Sequence, residues 1–405
     1  MNLNASTAVM GSFLVMAAPA FAQVEGFHDP EPKWSTSLLG EPTNIAAATE
    51  GLSFAVCWSA GPGLVVASVH DVTTGNLLED TSLVSVPAIS TRDVGWSPTT
   101  NRIAIGYVGA DGTPRTRLLD TRTSLPVGGE HVGDRIAFDA SGAMLVIGGF
   151  DDYIRVVDAI SGSLVRAYQF EGDLADVAID STGGVVGACS ADGAIELWDM
   201  MSGQSLFRNQ VTGSDGTALG LTSISISAGC TYVGAGTDGS AMAAADRGRA
   251  LVWAVAGGAL LYDRQIADGG LEKVVWTQSE SELLALGSTS AGELIFSAWD
   301  IVEDRTVLSI PPSESTSFGG LHDFDFDRAS SVWALTTGNG SVEAFGPGLG
   351  CISDLDGSGA VDGSDLAMVL SAWDRAHTTA DQNGDGVVNG VDLSYLLTHW
   401  GACGY

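Results

Sequence analysis

The sequence contains very little lysine and a large excess of acidic residues. Lys33 and Lys273 are the only lysines, and 17 basic residues stand against 49 acidic ones, which gives a formal net charge of −32. A surface this acidic repels phosphate backbones and anionic lipid, which argues against nucleic acid and membrane surfaces as partners. Cations, and calcium above all, are the better expectation.

Long apolar runs and catalytic motifs are also missing. No apolar run reaches the ~18 residues of a membrane-spanning helix, so we predict no membrane span. The six histidines are scattered without a metal-binding spacing. The chain has no Gly-x-Ser-x-Gly nucleophile elbow, no phosphate-binding loop and no dinucleotide fingerprint. No catalytic residue is therefore predicted, and a binding function is favoured over an enzyme.

The first 22 residues have the anatomy of a signal peptide. Ala8–Ala18 is a short apolar stretch, and Ala20-Phe21-Ala22 supplies a small-x-small cleavage site before Gln23. No Lys or Arg precedes the apolar stretch, so a disordered apolar tail is the alternative. We expect a secreted or cell-surface protein in an oxidising environment, where cysteines can form disulfides.

One pattern of four short strands recurs between residues 44 and 346. The clearest unit is Ala175–Gln210, and the unit before it is Asp134–Gln169. Frequent glycine (53 residues) and infrequent proline (12) suit short strands joined by tight turns. The third strands end 38 to 55 residues apart, at Asp71, Asp120, Asp158, Asp199, Ala254 and Asp300.

A period of about 40–50 residues with four strands per unit is typical of propeller blades, and we count seven units. Two β-sandwiches are the alternative, because alternating strands alone do not distinguish the two folds. The last unit has only three strands and ends at Gly346, whereas Trp34–Leu39 is a spare strand at the front. We therefore predict a mainly β fold with a seven-bladed β-propeller over residues 34–346. Pairing of Trp34–Leu39 with Ser341–Phe345 would close the ring and leave no open edge.

Two of the units contain a Trp-Asp pair at the end of the third strand, Trp198-Asp199 and Trp299-Asp300. Degraded Gly-His pairs are found at Glu130-His131 and Leu321-His322. In these features the repeat resembles the WD-repeat β-propeller family. The resemblance implies that loops at the rim bind a protein or a glycan. The alternative is a propeller enzyme that acts on polysaccharide, of the glycoside hydrolase or lyase type, with a site at the central channel.

Several residues that look reactive have structural roles in such a fold. The pairs Asp111-Gly112, Asp192-Gly193 and Asp238-Gly239 lie where a blade needs a hairpin turn. Trp198 and Trp299 are predicted to be blade-core residues. Three cysteines in the strands are predicted to be buried, reduced thiols: Cys57, Cys189 and Cys230.

After a linker at 347–350, two twelve-residue segments have the arrangement of an EF-hand calcium loop. Asp354–Asp365 and Asp381–Asp392 have oxygen-bearing side chains at positions 1, 3, 5, 9 and 12 and glycine at position 6, and position 7 adds a backbone carbonyl. Ordinary acidic turns are the alternative. The predicted ligands of two calcium ions are Asp354, Asp356, Ser358, Ala360, Asp362, Asp365, Asp381, Asn383, Asp385, Val387, Asn389 and Asp392.

Each loop is followed by a predicted amphipathic helix. The two copies align at an offset of 27 residues, and their apolar positions match at helical spacing. No helix-length segment precedes either loop, so complete EF-hands are not expected. The small helical core is predicted to contain Leu366, Leu370, Trp373, Leu393, Leu397 and Trp400.

The duplicated loop–helix unit resembles a type I dockerin domain, which gives a predicted domain at 351–405. The resemblance implies calcium binding and docking onto a cohesin module of a cell-surface or scaffolding protein, often in polysaccharide-degrading systems. In that family positions 10 and 11 of each loop are commonly Ser-Thr and guide the choice of partner. Here they are Gly363-Ser364 and Gly390-Val391. This departure bears on partner choice and not on calcium binding.

Cys351 and Cys403 flank the two repeated units. Antiparallel packing of the units would bring these cysteines together, so we predict a disulfide between them. The whole sequence thus predicts an exported calcium-binding protein. Its propeller would bind a protein or glycan, and its tail would attach to a cohesin-type or cell-surface partner.

Overall fold

The computed structural model describes residues 34–37, 42–48, 53–61, 63–72, 74–78, 83–240, 243–277, 280–291, 294–302, 304–310, 321–327, 332–337, 340–345, 353, 355, 360–373, 380, 387–398 and 400–402. Seven four-stranded antiparallel sheets lie between residues 34 and 345. Their first strands contact one another in order, and the last of these also contacts the first, which closes a ring. The sheets are therefore the seven blades of a β-propeller. The prediction from the repeat period is confirmed, and two β-sandwiches are excluded.

The strands of each blade follow one another along the chain, with the first strand innermost. Blades 1 to 4 consist of β2 (Pro42–Ala47), β3 (Ser53–Gly61), β4 (Leu64–Asp71) and β5 (Val84–Val86); β6 (Ser90–Ser97), β7 (Arg102–Val108), β8 (Pro114–Asp120) and β9 (His131–Val132); β10 (Arg135–Phe138), β11 (Met144–Gly148), β12 (Tyr153–Asp158) and β13 (Ser163–Gln169); β14 (Leu174–Ile179), β15 (Val185–Ser190), β16 (Ala194–Asp199) and β17 (Ser205–Gln210).

Blades 5 to 7 continue the same order, and blade 7 borrows its outer strand from the front of the chain. They consist of β18 (Leu221–Ile226), β19 (Tyr232–Thr237), β20 (Arg249–Ala254) and β21 (Leu260–Gln265); β22 (Leu271–Trp276), β23 (Glu282–Ser288), β24 (Leu294–Asp300) and β25 (Arg305–Ile310); β26 (Leu321–Asp327), β27 (Val332–Thr337), β28 (Ser341–Phe345) and β1 (Trp34–Ser37).

Burial decreases from the inner to the outer strands of a blade. The second strand β15 is buried almost throughout, whereas most residues of the fourth strand β13 are exposed. Neighbouring blades cover both faces of a second strand, so small residues are needed there. A Cβ at Gly106 would lie 2.2 Å from the carbonyl oxygen of Asp134, and a Cβ at Gly148 would lie 2.4 Å from a methyl carbon of Leu174. Glycine at these two positions lets adjacent blades pack closely.

The aspartates whose spacing gives the repeat period lie at the ends of the third strands, and they stabilise the turn that follows. One carboxylate oxygen of Asp158 accepts hydrogen bonds from the N–H and the hydroxyl of Ser161, both at 2.7 Å. Asp199 does the same with Ser202 at 2.6 Å. These bonds favour the ionised carboxylate and lower the pKa of both aspartates. The repeated Asp-x-x-Ser spacing is therefore a turn-stabilising device.

Most of the residues assigned structural roles are where the sequence predicts them. Trp198 is buried against Tyr168 and Phe170 of the preceding blade, with ring centroids 5.3 and 6.0 Å apart. Gly112 and Gly193 occupy turns with φ of +78° and +90°, as expected for the hairpin pairs that contain them. The third pair is an exception, because Asp238-Gly239 begins the long connection from β19 to β20.

The cysteine prediction is confirmed at two positions and wrong in part at the third. Cys57 and Cys189 are completely buried in strands and are free thiols. Cys230 is also a free thiol, but it lies half-buried in the turn between β18 and β19 with φ of +55°. Burial raises the pKa of the Cys230 thiol to about 12, so it is a poor nucleophile.

The ring is closed by the front of the chain. β1 pairs antiparallel with β28, and Trp34 lies opposite Ala344 and Ser37 opposite Ser341. The predicted closing strand is thus confirmed over Trp34–Ser37, and the rest of it, residues 38 and 39, lies outside the described residues. Residues 1–22 and the linker 347–350 also lie outside them, so the signal peptide and the domain limits stay predictions.

Removal of residues 1–39 should weaken the propeller and make it associate. Four residue pairs of β1 and β28 would be lost, and at about 1 kcal/mol for each hydrogen bond this lowers the melting temperature by several degrees. The exposed edge of β28 would then be open to another chain. Calorimetry and light scattering test both effects against a control chain that lacks only residues 1–22. An unchanged melting temperature in a monomeric protein would contradict this prediction.

Candidate functional site

The inner strands present one polar side chain each at the same level of the central channel. We call these seven residues the channel ring: Asn44, Asp93, Arg135, Asp176, Ser223, Lys273 and Asp323. Each lies at or near the start of the first strand of its blade, so the fold brings together residues that are far apart in the sequence. The channel holds a cavity of about 210 Å³, which is lined by four residues of the ring and by Asp325, one layer further along β26. The four ring residues are Asp93, Asp176, Ser223 and Lys273.

The carboxylates of the channel join neighbouring blades. Each accepts a backbone N–H from its own strand and another from the first strand of the next blade. Such bonds satisfy both the carboxylate and an inner-strand N–H that has no strand partner on the channel side. The bonds between blades are Asp93 with the N–H of Ile136 (2.9 Å), Asp176 with Ile224 (3.0 Å), Asp323 with Ile45 (3.1 Å) and Asp325 with Ala47 (2.8 Å).

Lysine and arginine neutralise the channel only in part. The Nζ atom of Lys273 lies 2.9 Å from a carboxylate oxygen of Asp323. Burial alone would lower the pKa of Lys273, but the nearby carboxylates outweigh it and raise that pKa. The Nε atom of Arg135 donates to the carbonyl of Ala175 at 2.7 Å. Four carboxylates thus share the channel with two basic groups.

Burial shifts the titration of these carboxylates, and the neighbouring charges modify the shift. Burial raises the pKa of Asp93 to about 7; the charge of Lys273 opposes the rise and the like charge of Asp176 adds to it. Burial also raises the pKa of Asp176 and of Asp325. Carboxylates with raised pKa values in one cavity are a feature of acid–base sites. Here each of them also bridges two strands, which gives it a structural function.

The tail consists of two short helices and a two-stranded sheet. Helix α1 spans Gly363–Ser371 and helix α2 spans Gly390–Thr398, while β29 (Ala360–Val361) pairs with β30 (Gly401–Ala402). The helices contact each other. None of the helices in the described part of the chain is long and apolar enough to cross a membrane.

The core of the tail differs from the predicted one. The fully buried side chains include Val369 and Leu396, which are equivalent in the two repeats, and Leu366 and Leu393 are partly buried beside them. The other four predicted core residues are wrong, because their side chains are exposed. These helices have only nine residues, so one narrow stripe packs inward and the adjacent stripe faces solvent. The exposed fractions are Leu370 52%, Trp373 38%, Leu397 52% and Trp400 49%.

The described loop residues have the same arrangement in both repeats. Asp362 accepts the N–H of Ser364 at 2.7 Å, and Asp365 accepts that of Asp362 at 2.7 Å. In the second repeat Asn389 accepts the N–H of Val391 at 2.8 Å, and Asp392 accepts that of Asn389 at 2.7 Å. Positions 9 and 12 of each loop therefore cap the helix that follows.

These residues suit a hard cation. Asp365 and Asp392 at position 12 are fully buried, and a buried carboxylate is costly unless hydrogen bonds or a cation satisfy it. Asp365 also accepts the N–H of Leu355, which lies in the first loop, at 2.6 Å. No group of three His, Cys, Asp or Glu that could hold a metal is found among the described residues. Half of the predicted ligands and both predicted disulfide partners lie outside those residues: Asp354, Asp356, Ser358, Asp381, Asn383, Asp385, Cys351 and Cys403.

Comparison with known families identifies the tail. Residues 352–399 match the family described as the Dockerin type I domain. The tail is a dockerin domain. The match covers both loops and both helices, which confirms the resemblance seen in the sequence. No curated protein matches the chain.

The charge of Asp93 should make the propeller less stable above neutral pH. Its pKa is about 7 in the folded chain and ~3.9 in an unfolded one, so folding favours the protonated form and stability falls as the pH rises toward 7. Asp93→Asn removes the charge and keeps an oxygen that can accept the N–H of Ile136. We expect this variant to raise the melting temperature by a few degrees at pH 8 and by less at pH 5, measured from the β signal in circular dichroism.

Asp173→Asn is the control, because Asp173 is exposed at the start of blade 4. The control should change the melting temperature by the same small amount at both pH values. Equal effects of Asp93→Asn at pH 5 and pH 8 would contradict the raised pKa of Asp93.

Proposed function

We propose that this is an exported, calcium-dependent attachment protein, whose propeller binds a protein or glycan and whose dockerin tail docks onto a cohesin-type partner. The observation that carries the proposal is the tail. It matches the dockerin family and exposes an apolar pair in each of its two repeats. Proteins rarely leave matched large apolar side chains in solvent unless a partner covers them.

The proposed calcium sites are the two loops of the tail, with one ion each. Position 12 is buried and turned inward in both repeats, at Asp365 and Asp392. Without a cation the like charges of the loop carboxylates would oppose folding of the loop. The small core of the tail cannot easily offset that repulsion, so calcium would couple directly to folding of the domain.

The proposed docking surface has two equivalent halves. Leu370 and Trp373 on the first repeat correspond to Leu397 and Trp400 on the second, and all four are exposed. At loop position 11, where the family commonly has Thr, the second repeat has Val391, which is 51% exposed. An apolar contact would therefore replace part of the polar recognition usual in the family, and the partner would present a complementary apolar patch.

Export is part of the proposal because a dockerin tail acts outside the cell. The apolar stretch and the Ala20-Phe21-Ala22 site support a signal peptide at 1–22. An oxidising environment would allow the predicted disulfide between Cys351 and Cys403. Pairing of β29 with β30 supports this disulfide, because it brings Ala402, which directly precedes Cys403, back to the first loop, opposite Ala360.

A propeller enzyme that acts on polysaccharide is the second candidate. The observation in its favour is the channel, where Asp93 and Asp176 share a cavity and both have raised pKa values. Glycoside hydrolysis uses two carboxyl groups on either side of the bond that is cut. Against this candidate, both carboxylates already accept two backbone N–H groups each. Polysaccharide hydrolysis that disappears in Asp93→Asn would favour the enzyme.

The full-length protein should bind two calcium ions. We expect calorimetry after chelator treatment to give a stoichiometry near two, and Asp354→Ala and Asp381→Ala to remove one ion each, because each loses the first ligand of one loop. Asp374→Ala is the matched control, since this acidic tail residue belongs to neither loop. Two ions retained in the variant that carries both Asp354→Ala and Asp381→Ala, or no calcium bound by the unsubstituted protein, would refute the metal sites.

Attachment should depend on the two apolar pairs together. Leu370→Asp or Leu397→Asp alone leaves the other half intact, so binding to an immobilised cohesin module in calcium should weaken by only a few fold. The double variant should lose binding, because a charge in each half opposes burial of the surface. Met201→Asp is the control, since Met201 is 90% exposed on the propeller. Binding of the double variant that equals that of the control would show that another surface makes the contact.

A further inference from the structure

A groove of about 390 Å³ lies between blades 5 and 6. Thr222 and Glu272 at the starts of β18 and β22 line it, together with Asp238 and Ser290 from the connections between second and third strands. All of these segments lie at the end of the blades where the inner strands begin. The groove therefore opens on the same end of the propeller as the channel ring, since Thr222 and Glu272 directly precede Ser223 and Lys273.

Glycines allow three loop backbones to meet at this groove. A Cβ at Gly270 would lie 2.7 Å from the backbone nitrogen of Gly239, and a Cβ at Gly269 would lie 2.5 Å from the carbonyl oxygen of Ser288. Any larger residue at these positions would force the loops apart. This side of the groove is thus bounded by closely packed main chain.

Hydrogen bonds hold the walls of the groove in place before any ligand arrives. Asp268 accepts the N–H and the hydroxyl of Ser290 at 2.9 and 2.8 Å. Asp238 accepts the N–H and the hydroxyl of Ser240 at 3.0 and 2.8 Å. Thr222 donates to the carbonyl of Leu271 at 2.6 Å, which ties blade 5 to blade 6. A site braced in this way loses little conformational entropy on binding.

The long connection from β19 to β20 is anchored as well. Asp246 is buried and accepts the N–H and the hydroxyl of Ser214 at 2.9 and 2.7 Å, and Arg249 donates to it at 2.9 Å. The amide of Gln265 donates to the carbonyl of Arg247 at 3.1 Å. Arg247 lines the groove. Because Gln265 belongs to β21, its hydrogen bond holds the backbone of Arg247 against that strand.

The chemistry of the lining selects among ligands. An anion is disfavoured because Asp238, Asp268 and Glu272 outnumber Arg247 around the groove, and a simple cation is disfavoured by Arg247 itself. An apolar ligand has little to contact, since Leu271 is the one apolar side chain among the described residues of the lining, and it is 99% buried. Sugar hydroxyls both donate and accept, which suits a guanidinium, carboxylates and serine hydroxyls on facing walls.

We infer that this groove binds a neutral, polyhydroxylated ligand, namely a stretch of uncharged oligosaccharide. The inference rests on the proposed function, in which the propeller is a binding module, and it names both the site and the class of ligand. Arg247 donates to hydroxyl oxygens from one wall, while Glu272 and the serines of β23 and its loop contact the ring hydroxyls from the other. The volume is at the lower end of small-ligand sites, so the groove accommodates part of a longer chain.

Calorimetry on the full-length protein tests the inference with defined probes. The neutral probes are cellohexaose, xylohexaose and mannohexaose, and the charged ones are oligogalacturonate and a glucosamine oligomer. We expect at least one neutral probe to bind and the charged probes to bind at least tenfold more weakly. Arg247→Met and Glu272→Gln should each weaken that binding by about tenfold, the effect of losing a charged hydrogen bond.

Glu171→Gln is the matched control, because Glu171 is an exposed glutamate in the connection from blade 3 to blade 4 at the same end of the propeller. It should leave binding unchanged. No binding of any neutral probe, preference for a charged probe, or binding that is insensitive to the Arg247 and Glu272 variants would each overturn the inference. If calcium-dependent attachment of the tail persists in the same preparation, the proposed attachment function stands even where the groove proposal fails.

Discussion

The ring depends on hydrogen bonds that cross from one blade to the next at the channel. Asp93 and Asp176 each join two neighbouring inner strands, and Asp323 does so between the last blade and the first, where it accepts the N–H of Ile45. The ends of the propeller are thus held together twice, by β1 on the outside and by Asp323 on the inside. The inner strands would otherwise have N–H groups without strand partners in a narrow channel, and such groups are costly to leave unsatisfied.

This solution concentrates carboxylates, and the placement of the few basic residues follows from it. The chain has two lysines, and one of them, Lys273, contacts Asp323 in the channel. Arg135 takes the ring position between Asp93 and Asp176. Burial raises the pKa of Asp93 to about 7, so near neutral pH this group carries less negative charge than an exposed aspartate would. The tail also buries carboxylates, since Asp365 and Asp392 are fully buried and each accepts a backbone N–H at 2.7 Å.

The sequence could predict what repeats, and it could not predict what comes from single positions. The Asp-x-x-Ser turns recur at Asp158 and Asp199, so the period, the blade number and the closing strand follow from the pattern. The channel ring does not recur as a residue type, since Ser223, Lys273 and Asp323 are equivalent only in space. The predicted core of the tail was wrong for a different reason. Leu366 and Leu370 are both leucines and lie four residues apart, so the sequence pattern does not distinguish them, whereas the structure partly buries Leu366 and exposes Leu370. The groove beside Asp238 was missed because a longer loop replaced the expected hairpin.

The two parts of the chain respond to acidity in opposite directions. The propeller gains stability as the pH falls below the pKa of Asp93, because the folded chain keeps a proton on this buried carboxyl that the unfolded chain releases, and the protonated group can still accept the N–H of Ile136. Calcium binding by a carboxylate loop is lost in acid, because protons compete with the metal for the same oxygens. Propeller stability and calcium binding by a carboxylate loop are therefore compatible at mildly acidic to neutral pH. If the tail attaches through calcium as proposed, acid would release the attachment while the ring persists, so attachment by the tail and ligand binding by the propeller would be separable by pH although both belong to one chain.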